Sequence, residues 1–88
     1  MVSRTVTVVN ALGLHARAAA RFVRVASGYR SQIRVSKGPR TTDGKSILGL
    51  LLLAAARGTQ ILISADGPDE AQAVEDLAGL AVRGFEDP

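Results

Sequence analysis

The sequence has no cysteine among its 88 residues. It therefore has neither a disulfide framework nor a thiolate metal site. Aromatic residues make up only 3%, with one tyrosine and two phenylalanines. Because single-stranded nucleic acids are bound largely by stacking bases on aromatic rings, such a stacking platform is hard to build here. There is also a single histidine, and we expect no metal site and no bound cofactor.

Long apolar segments are lacking as well. The longest uninterrupted apolar run extends from Leu50 to Ala56, whereas a helix needs roughly 20 residues to cross a bilayer. No apolar segment of the kind found in signal peptides follows the first four residues. We therefore expect a cytoplasmic protein without membrane insertion. The length fits one domain, residues 1–88.

Charge is distributed unevenly along the chain. The net charge is +3, from 11 basic and 8 acidic residues. Ten of the basic residues lie between Arg4 and Arg57, while five acidic ones lie between Asp66 and Asp76. Such a field favours an acidic partner surface or nucleic acid. A solvated face that keeps the protein soluble explains the charge alone equally well.

Hydrophobic periodicity predicts the element order βαββαβα. The predicted strands are Arg4–Val9, Gln32–Ser36, Arg40–Thr42 and Gln60–Ala65, and the predicted helices are Ala16–Ala26, Ile47 to about Ala56, and a last one after the turn Asp66–Asp69. The short turn at Gly38-Pro39 implies that the second and third strands are antiparallel. Three helices can cover their apolar faces on one side of a four-stranded sheet, which predicts a two-layer α+β domain.

The predicted first helix has two stripes. An i, i+3, i+4 spacing groups its apolar residues, with Phe22 on the flank: Ala16, Ala19, Ala20, Val23 and Ala26. Arg17, Arg21 and Arg24 form a separate basic stripe. The helix is therefore amphipathic, and it is expected to end at Ser27-Gly28.

The other two predicted helices have recognisable ends. Ser46 is the expected N-cap of the second helix, and Arg57-Gly58 is typical of its C-terminal end. In the third helix a proline, Pro68, is expected near the first helical position. Its buried stripe is predicted to contain six residues: Ala71, Val74, Leu77, Ala78, Ala81 and Phe85.

His15 is the main candidate for chemistry. It stands between a loop that contains Gly13 and the first turn of the predicted Ala16–Ala26 helix. Free backbone N–H groups and the positive end of the helix dipole favour an anion there. Arg17 adds a fixed positive charge with donors suited to phosphate oxygens. A histidine side chain that is neutral at pH 7 is nucleophilic, so these parts suit a phosphoryl acceptor. No acid lies within a few residues to orient the ring, which disfavours a hydrolytic triad.

Two motifs resemble those of a known family. Gly13-Leu14-His15-Ala16-Arg17 closely resembles the active-site signature of the HPr family, the histidine phosphocarriers of the bacterial phosphoenolpyruvate-dependent phosphotransferase system. Gly44-Lys45-Ser46-Ile47-Leu48-Gly49-Leu50 resembles that family's second signature, around its regulatory serine. The spacing of the motifs, the element order and the length agree, so the resemblance covers essentially the whole chain. Many members have proline where this chain has Ala18, a strong helix former, and we expect little loss of function from it.

The resemblance implies a fold and a reaction. The fold would be an open-faced β-sandwich whose antiparallel strands lie in the order 1-4-2-3. Enzyme I would phosphorylate His15 on Nδ1 using phosphoenolpyruvate, and the group would pass to enzyme IIA domains in sugar uptake. Arg17 would neutralise charge during both transfers. The chain would then be a monomeric covalent carrier rather than an independent catalyst.

The resemblance also implies regulation and docking. Ser46 matches the serine that HPr kinase/phosphorylase modifies in many bacteria, although its role as a helix cap is the safer prediction. Apolar residues of the second helix would contact partners, with basic residues around them that steer association. The predicted docking residues are Leu14, Arg21, Arg24, Ile47, Leu48 and Leu51, whereas Leu50 and Leu53 are predicted to be buried.

Three alternatives stay open on the sequence alone. One is a regulatory phosphocarrier of the nitrogen-related branch of the same system, which Ala18 and the basic helix permit. Another is a small basic nucleic-acid-binding module, which the charge supports and the scarcity of aromatics disfavours. A third is an effector that binds other proteins without carrying phosphate, although such a role needs neither His15 nor Arg17.

Overall fold

The computed structural model describes residues 1–86, so the last two residues of the predicted 1–88 domain, Asp87 and Pro88, lie outside it. The elements are β1 (Val2–Thr7), α1 (Ala16–Ser27), β2 (Gln32–Lys37), β3 (Arg40–Asp43), α2 (Ile47–Leu53), β4 (Gln60–Asp66) and α3 (Glu70–Val82), followed by a 3₁₀ turn at Gly84–Glu86. The predicted order βαββαβα is confirmed. Strand β1 begins and ends two residues before its predicted bounds.

The four strands form one antiparallel sheet in the order β1-β4-β2-β3, as the family resemblance implied. The register places Val35 of β2 between Ile63 of β4 and Thr42 of β3. Since side chains alternate along a strand, this register puts the apolar residues of neighbouring strands on one face. The sheet therefore has one apolar face, and the three helices cover it.

The core lies between this face and the helices. The strands contribute alternate buried residues, among them Ile33, Val35, Ile61 and Ile63. From the helical side Phe22 contacts Phe85 edge-on, with ring centroids 6.5 Å apart and an interplanar angle of 61°. Such an edge-to-face pair adds to the stabilisation from apolar burial alone. Within the described part of the chain no helix is long and apolar enough to span a membrane.

The buried stripe of α1 differs from the prediction. Its buried residues are Ala18, Ala19, Phe22 and Ala26, whereas Ala16 is exposed. The largest apolar side chain, Phe22, is fully buried rather than at the flank. Phe22 buries more area than any alanine of this helix, so its packing fixes the rotation of α1 about its axis. The buried face therefore differs from the predicted stripe.

Helix α2 ends earlier than predicted. It stops at Leu53, because Ala54 adopts the left-handed conformation with φ 52°. The Nζ atom of Lys37 donates to the carbonyl oxygens of Leu53 and Ala54, at 3.1 and 3.2 Å. This ammonium group satisfies carbonyls that a helix end leaves without partners. The predicted end at Arg57-Gly58 is wrong, since Gly58 lies in a turn and its N–H donates to the Val8 carbonyl at 2.7 Å.

Helix α3 begins after the predicted turn but departs from the prediction at its C-terminal end and in its buried stripe. Pro68 precedes the N-cap residue, Asp69, and so lies outside the helix. Phe85 is buried in the 3₁₀ turn after α3 rather than in the helix itself. Ala71 is exposed, and the buried residues of α3 are Ala73, Val74, Leu77, Ala78, Leu80 and Ala81.

Asp69 does not cap α3 with its side chain. Its carboxylate accepts hydrogen bonds from the N–H groups of Arg30 and Ser31, at 2.8 and 2.9 Å, and from the Ser31 hydroxyl. These bonds tie the start of α3 to the segment between α1 and β2. The Ser31 hydroxyl and the Arg30 N–H stabilise the charged form and hold the pKa of Asp69 at about 2.

Candidate functional site

His15 is the N-cap residue of α1. Its backbone is extended, with φ −86° and ψ −176°, and its Nδ1 accepts a long hydrogen bond of 3.4 Å from the N–H of Arg17. Its carbonyl oxygen accepts the N–H of Ala19 at 2.8 Å, which is the first bond of the helix. The imidazole thus replaces the hydroxyl or carboxylate that usually caps a helix.

This bond indicates which nitrogen carries the proton in the neutral ring. Neutral imidazole has one N–H and one acceptor nitrogen, and an acceptor Nδ1 requires the proton on Nε2. The lone pair of Nδ1 therefore points to the first turn of α1, which contains no acidic residue. Backbone N–H groups at a helix start favour negative charge, so a group that is bonded to Nδ1 meets an environment suited to anions.

The loop before His15 is held against the segment after α2. Gly13 has φ +66°, and a Cβ at this position would stand 2.5 Å from the carbonyl oxygen of Ala55. The next N–H, that of Leu14, donates to the same Ala55 oxygen at 2.9 Å. Only glycine fits so close an approach in the left-handed region. The segment that follows α2 therefore sets the position of His15.

Asn10 is a further residue of the site, and it was not among the predicted site residues. Its side chain is buried, and its Nδ2 donates to the Gly13 carbonyl at 2.7 Å. Its own carbonyl accepts the Gly13 N–H at 3.1 Å, closing a four-residue turn. Asparagine at the first and glycine at the fourth position are typical of a β-turn, and this spacing is the signal that points to Asn10.

The three predicted basic residues of α1 have different surroundings. Arg17 and Arg24 are exposed. The guanidinium of Arg21 donates to the carbonyl oxygens of Phe85 and Glu86, at 3.1 and 2.6 Å. Arg21 was predicted to contact partners, and within the structure its guanidinium also holds the 3₁₀ turn after α3 against α1.

Ser46 caps α2, as predicted. Its backbone is extended, and its Oγ accepts the N–H of Gly49 at 3.0 Å. The side chain is half-buried. A helix of seven residues is roughly 10 Å long, so Ser46 lies at one end of α2 while the His15 loop contacts the segment beyond the other end.

The apolar residues around α2 divide into buried and exposed ones. Leu50 and Leu53 are buried, which confirms their predicted place in the core. Ile47, Leu48 and Leu51 are exposed, as docking residues must be, and Leu52 joins them with 66% of its surface exposed. Leu14 was predicted as a docking residue, but only 4% of it is exposed. Its side chain packs in the core, where a partner cannot reach it, so Leu14 leaves the predicted docking set.

No group of three histidine, cysteine, aspartate or glutamate side chains that could hold a metal ion occurs within residues 1–86. The site consists of His15, the N–H groups at the start of α1 and the exposed arginines. Their arrangement suits the covalent capture of an anionic group.

Comparison with known proteins agrees with this geometry. Residues 2–82 match the family model described as the PTS HPr component phosphorylation site. The chain belongs to the HPr family. The phosphocarrier protein HPr of Cupriavidus necator is 41% identical over 85 residues, which cover 97% of this chain and 96% of the relative. The phosphocarrier protein HPr of Neisseria meningitidis serogroup A is 45% identical over 80 residues, which cover 91% and 90%.

A solved structure gives the same result for the HPr fold. HPr of Thermoanaerobacter tengcongensis superposes with a TM-score of 0.95 at 39% identity, over 100% of this chain and 99% of that one. The predicted family and the predicted open-faced sandwich are both confirmed. This chain is accordingly a phosphocarrier of the phosphotransferase system.

Proposed function

We propose that this protein accepts a phosphoryl group on Nδ1 of His15 from enzyme I, which draws it from phosphoenolpyruvate, and passes it to enzyme IIA domains in sugar uptake. The observation that carries the proposal is the capping of α1 by His15, with Nδ1 as the acceptor of the Arg17 N–H. No other nucleophile stands in this position at the start of α1.

The transfer step depends on the neutral ring having its proton on Nε2 and its lone pair on Nδ1. The lone pair of Nδ1 attacks phosphorus, a P–N bond forms, and the bond between phosphorus and its donor on enzyme I breaks. The proton stays on Nε2, and the resulting positive charge of the ring offsets part of the charge on the phosphoryl oxygens. Transfer to enzyme IIA reverses these steps with a new acceptor.

The start of α1 supplies the stabilisation. Phosphorylation takes the Nδ1 lone pair away from the Arg17 N–H, which then turns to a phosphoryl oxygen. Ala18, the third residue of α1, adds a backbone N–H that has no partner within the helix. A proline at this position would have no N–H to offer. Arg17 is exposed, and its guanidinium can approach the phosphoryl group with a planar pair of donors.

Docking is proposed for the exposed apolar residues of α2. Ile47, Leu48 and Leu51 lie on the surface, and Arg24 is exposed on the neighbouring helix α1. A small apolar patch with a cationic rim suits brief, electrostatically steered encounters with acidic partner surfaces. The protein acts in this scheme as a cytoplasmic monomer that meets enzyme I and enzyme IIA in turn.

Ser46 is the proposed regulatory site, for a kinase of the HPr kinase/phosphorylase type. It is half-buried at the N-terminus of α2, where a phosphate is electrostatically favoured. Modification should therefore leave the fold intact and place negative charge beside Ile47 and Leu48. That charge would oppose an acidic partner, and a Ser46→Asp variant should accept phosphate from enzyme I more slowly than Ser46→Ala.

The decisive experiment uses the intact mass of the protein after incubation with phosphoenolpyruvate, Mg²⁺ and enzyme I from the same organism. We expect the gain of one phosphoryl group, labile in acid and stable in base, and none in His15→Gln. No gain in a folded wild-type sample, or an equal gain in His15→Gln, would overturn the proposal.

A second transfer decides the branch of the system. The phosphorylated protein is mixed with an enzyme IIA of sugar uptake or with its nitrogen-related counterpart, and loss of the phosphoryl group is followed. Rapid transfer to the sugar-specific domain supports the proposal. Transfer to the nitrogen-related domain alone would support the alternative, a regulatory phosphocarrier.

A further inference from the structure

Asn10 is a buried polar residue whose amide is only half paired. Its side chain is 5% exposed, and its Nδ2 donates to the Gly13 carbonyl. Its Oδ1 is buried and has no hydrogen-bond partner among residues 1–86. A buried oxygen without a partner lowers stability, so what the amide contributes here is the bond from Nδ2 to the Gly13 carbonyl.

The amide acts on the peptide unit that joins Gly13 to Leu14. The oxygen of this unit accepts both Asn10 Nδ2 and the N–H of His15, at 2.7 and 2.9 Å. Two donors use both lone pairs of a carbonyl oxygen. The N–H of the same unit, on Leu14, donates to Ala55 at 2.9 Å. The peptide plane is thus held on both sides, directly before His15.

The orientation of this plane determines where the imidazole lies. His15 follows the Gly13–Leu14 unit by one residue, and its own N–H is one of the two donors to the Gly13 oxygen. A rotation of the plane would move the His15 backbone and lengthen the bond between Nδ1 and the Arg17 N–H. That bond is already long, at 3.4 Å, so a small rotation breaks it.

We infer that Asn10 is a positioning residue, which fixes the Gly13–Leu14 peptide and thereby keeps Nδ1 of His15 directed at the Arg17 N–H. Its effect on phosphoryl transfer rests on the proposed function. Its effect on the imidazole does not, because the tautomer of His15 can be measured without any phosphoryl donor.

Two variants of similar shape test this role. Asn10→Leu removes both polar atoms, and Asn10→Asp replaces the donor by a carboxylate oxygen, which at neutral pH only accepts. We expect wild type to hold the His15 proton on Nε2, as read from ¹⁵N–¹H correlations of the imidazole. In both variants the population with the proton on Nδ1 should rise. Phosphorylation by enzyme I should slow by roughly tenfold or more, since small misplacements of reacting groups are costly.

A matched control separates positioning from stability. Val74→Ala leaves a cavity under α3, far from the His15 loop in the sequence, and destabilises the core. It should keep the wild-type tautomer and rate. An equal loss of rate in Val74→Ala, or Asn10 variants with the wild-type tautomer and rate, would overturn the inference.

The wild-type protein offers a test that needs no variant. Asn10 is the only asparagine in the sequence, so selective ¹⁵N-asparagine labelling gives one unambiguous pair of side-chain amide signals. Exchange of the Gly13-bonded proton with solvent should be far slower than that of the exposed Gln72 amide, which is measured in a second, uniformly ¹⁵N-labelled sample. Equal exchange would contradict the bond on which the inference depends. If the wild-type protein accepts no phosphate at all, the proposed function is wrong. The tautomer and exchange measurements still test whether Asn10 positions His15.

Discussion

At position 13 the backbone is left-handed and lies against the carbonyl of Ala55, where a Cβ would stand at 2.5 Å. Gly13→Ala therefore combines two penalties, left-handed strain and a clash with rigid backbone. We expect it to lower the free energy of unfolding by roughly 2 kcal/mol or more, as measured by urea denaturation.

Gly38 supplies the control for this prediction. It too has a positive φ, +57°, but a Cβ there would meet nothing within 4 Å. Gly38→Ala should thus report the strain alone and cost about 1 kcal/mol. Equal losses in the two variants would mean that the contact with Ala55 does not constrain the His15 loop.

Single residues of the site could be predicted only where their chemistry is local. His15 and Arg17 stand at a predicted helix start in the sequence itself, so the role proposed for them could be predicted from this position together with the family motif. The burial of Leu14 depends on its contacts with Ala55 and the core. Those contacts join distant parts of the chain, and no local pattern contains them.

Among the elements, α2 is the shortest helix and depends on its cap. Ser46→Ala removes the acceptor of the Gly49 N–H, and we expect a loss of about 1 kcal/mol in the free energy of unfolding. Ser46→Asp retains an acceptor and should stay close to wild type. Urea denaturation curves of the three proteins, compared with the exposed-hydroxyl variant Ser3→Ala, test this prediction. A Ser46→Ala variant as stable as Ser3→Ala would refute it.

The bounds of the elements were predictable except where a tertiary contact ends a helix. The apolar run continues from Leu53 to Ala56, so periodicity extends α2 to about Ala56. The helix stops where Ala54 becomes left-handed, and Lys37, from a different element, bonds the carbonyls of Leu53 and Ala54. In α1, likewise, the rotation of the helix is fixed by Phe22 packing against Phe85, which lies beyond α3.

For the whole molecule, Asp69 links α3 to the segment between α1 and β2. Its pKa is about 2, below the usual 3.8, so the folded state favours the charged carboxylate. The stability that it contributes is present above pH 3.8 and disappears as the pH falls towards 2. Asp69→Asn should be less stable at neutral pH and should lose less stability than wild type across this acidic range.

Urea midpoints measured from neutral pH down to about 2 test this linkage. Ser31→Ala removes the hydroxyl donor and should weaken the same pH dependence. Some dependence should persist in both variants, because the Gly67 N–H and the N-terminal amino group also lower the pKa of Glu70. An unchanged pH profile in Asp69→Asn would show that this carboxylate does not couple folding to protons.

The topology could be predicted only through the family. Alternation identifies four strands and a turn pairs two of them, but neither assigns a place to β1 and β4. The order β1-β4-β2-β3 inserts the last strand between the first and the second. That strand order depends on the packing of the entire chain. It could be predicted only because the motifs around His15 and Ser46 resemble those of the HPr family.

The bond between Leu14 and Ala55 also has a consequence for biosynthesis. During synthesis, His15 is added to the chain long before Ala55. Strand β1 is also made well before β4, the strand with which it pairs. The nascent chain therefore presents His15 before the loop around it can be held by Ala55 and before β1 can pair with β4. Given the proposed function, we expect a chain that ends before Ala55 to accept the phosphoryl group more slowly than the complete chain.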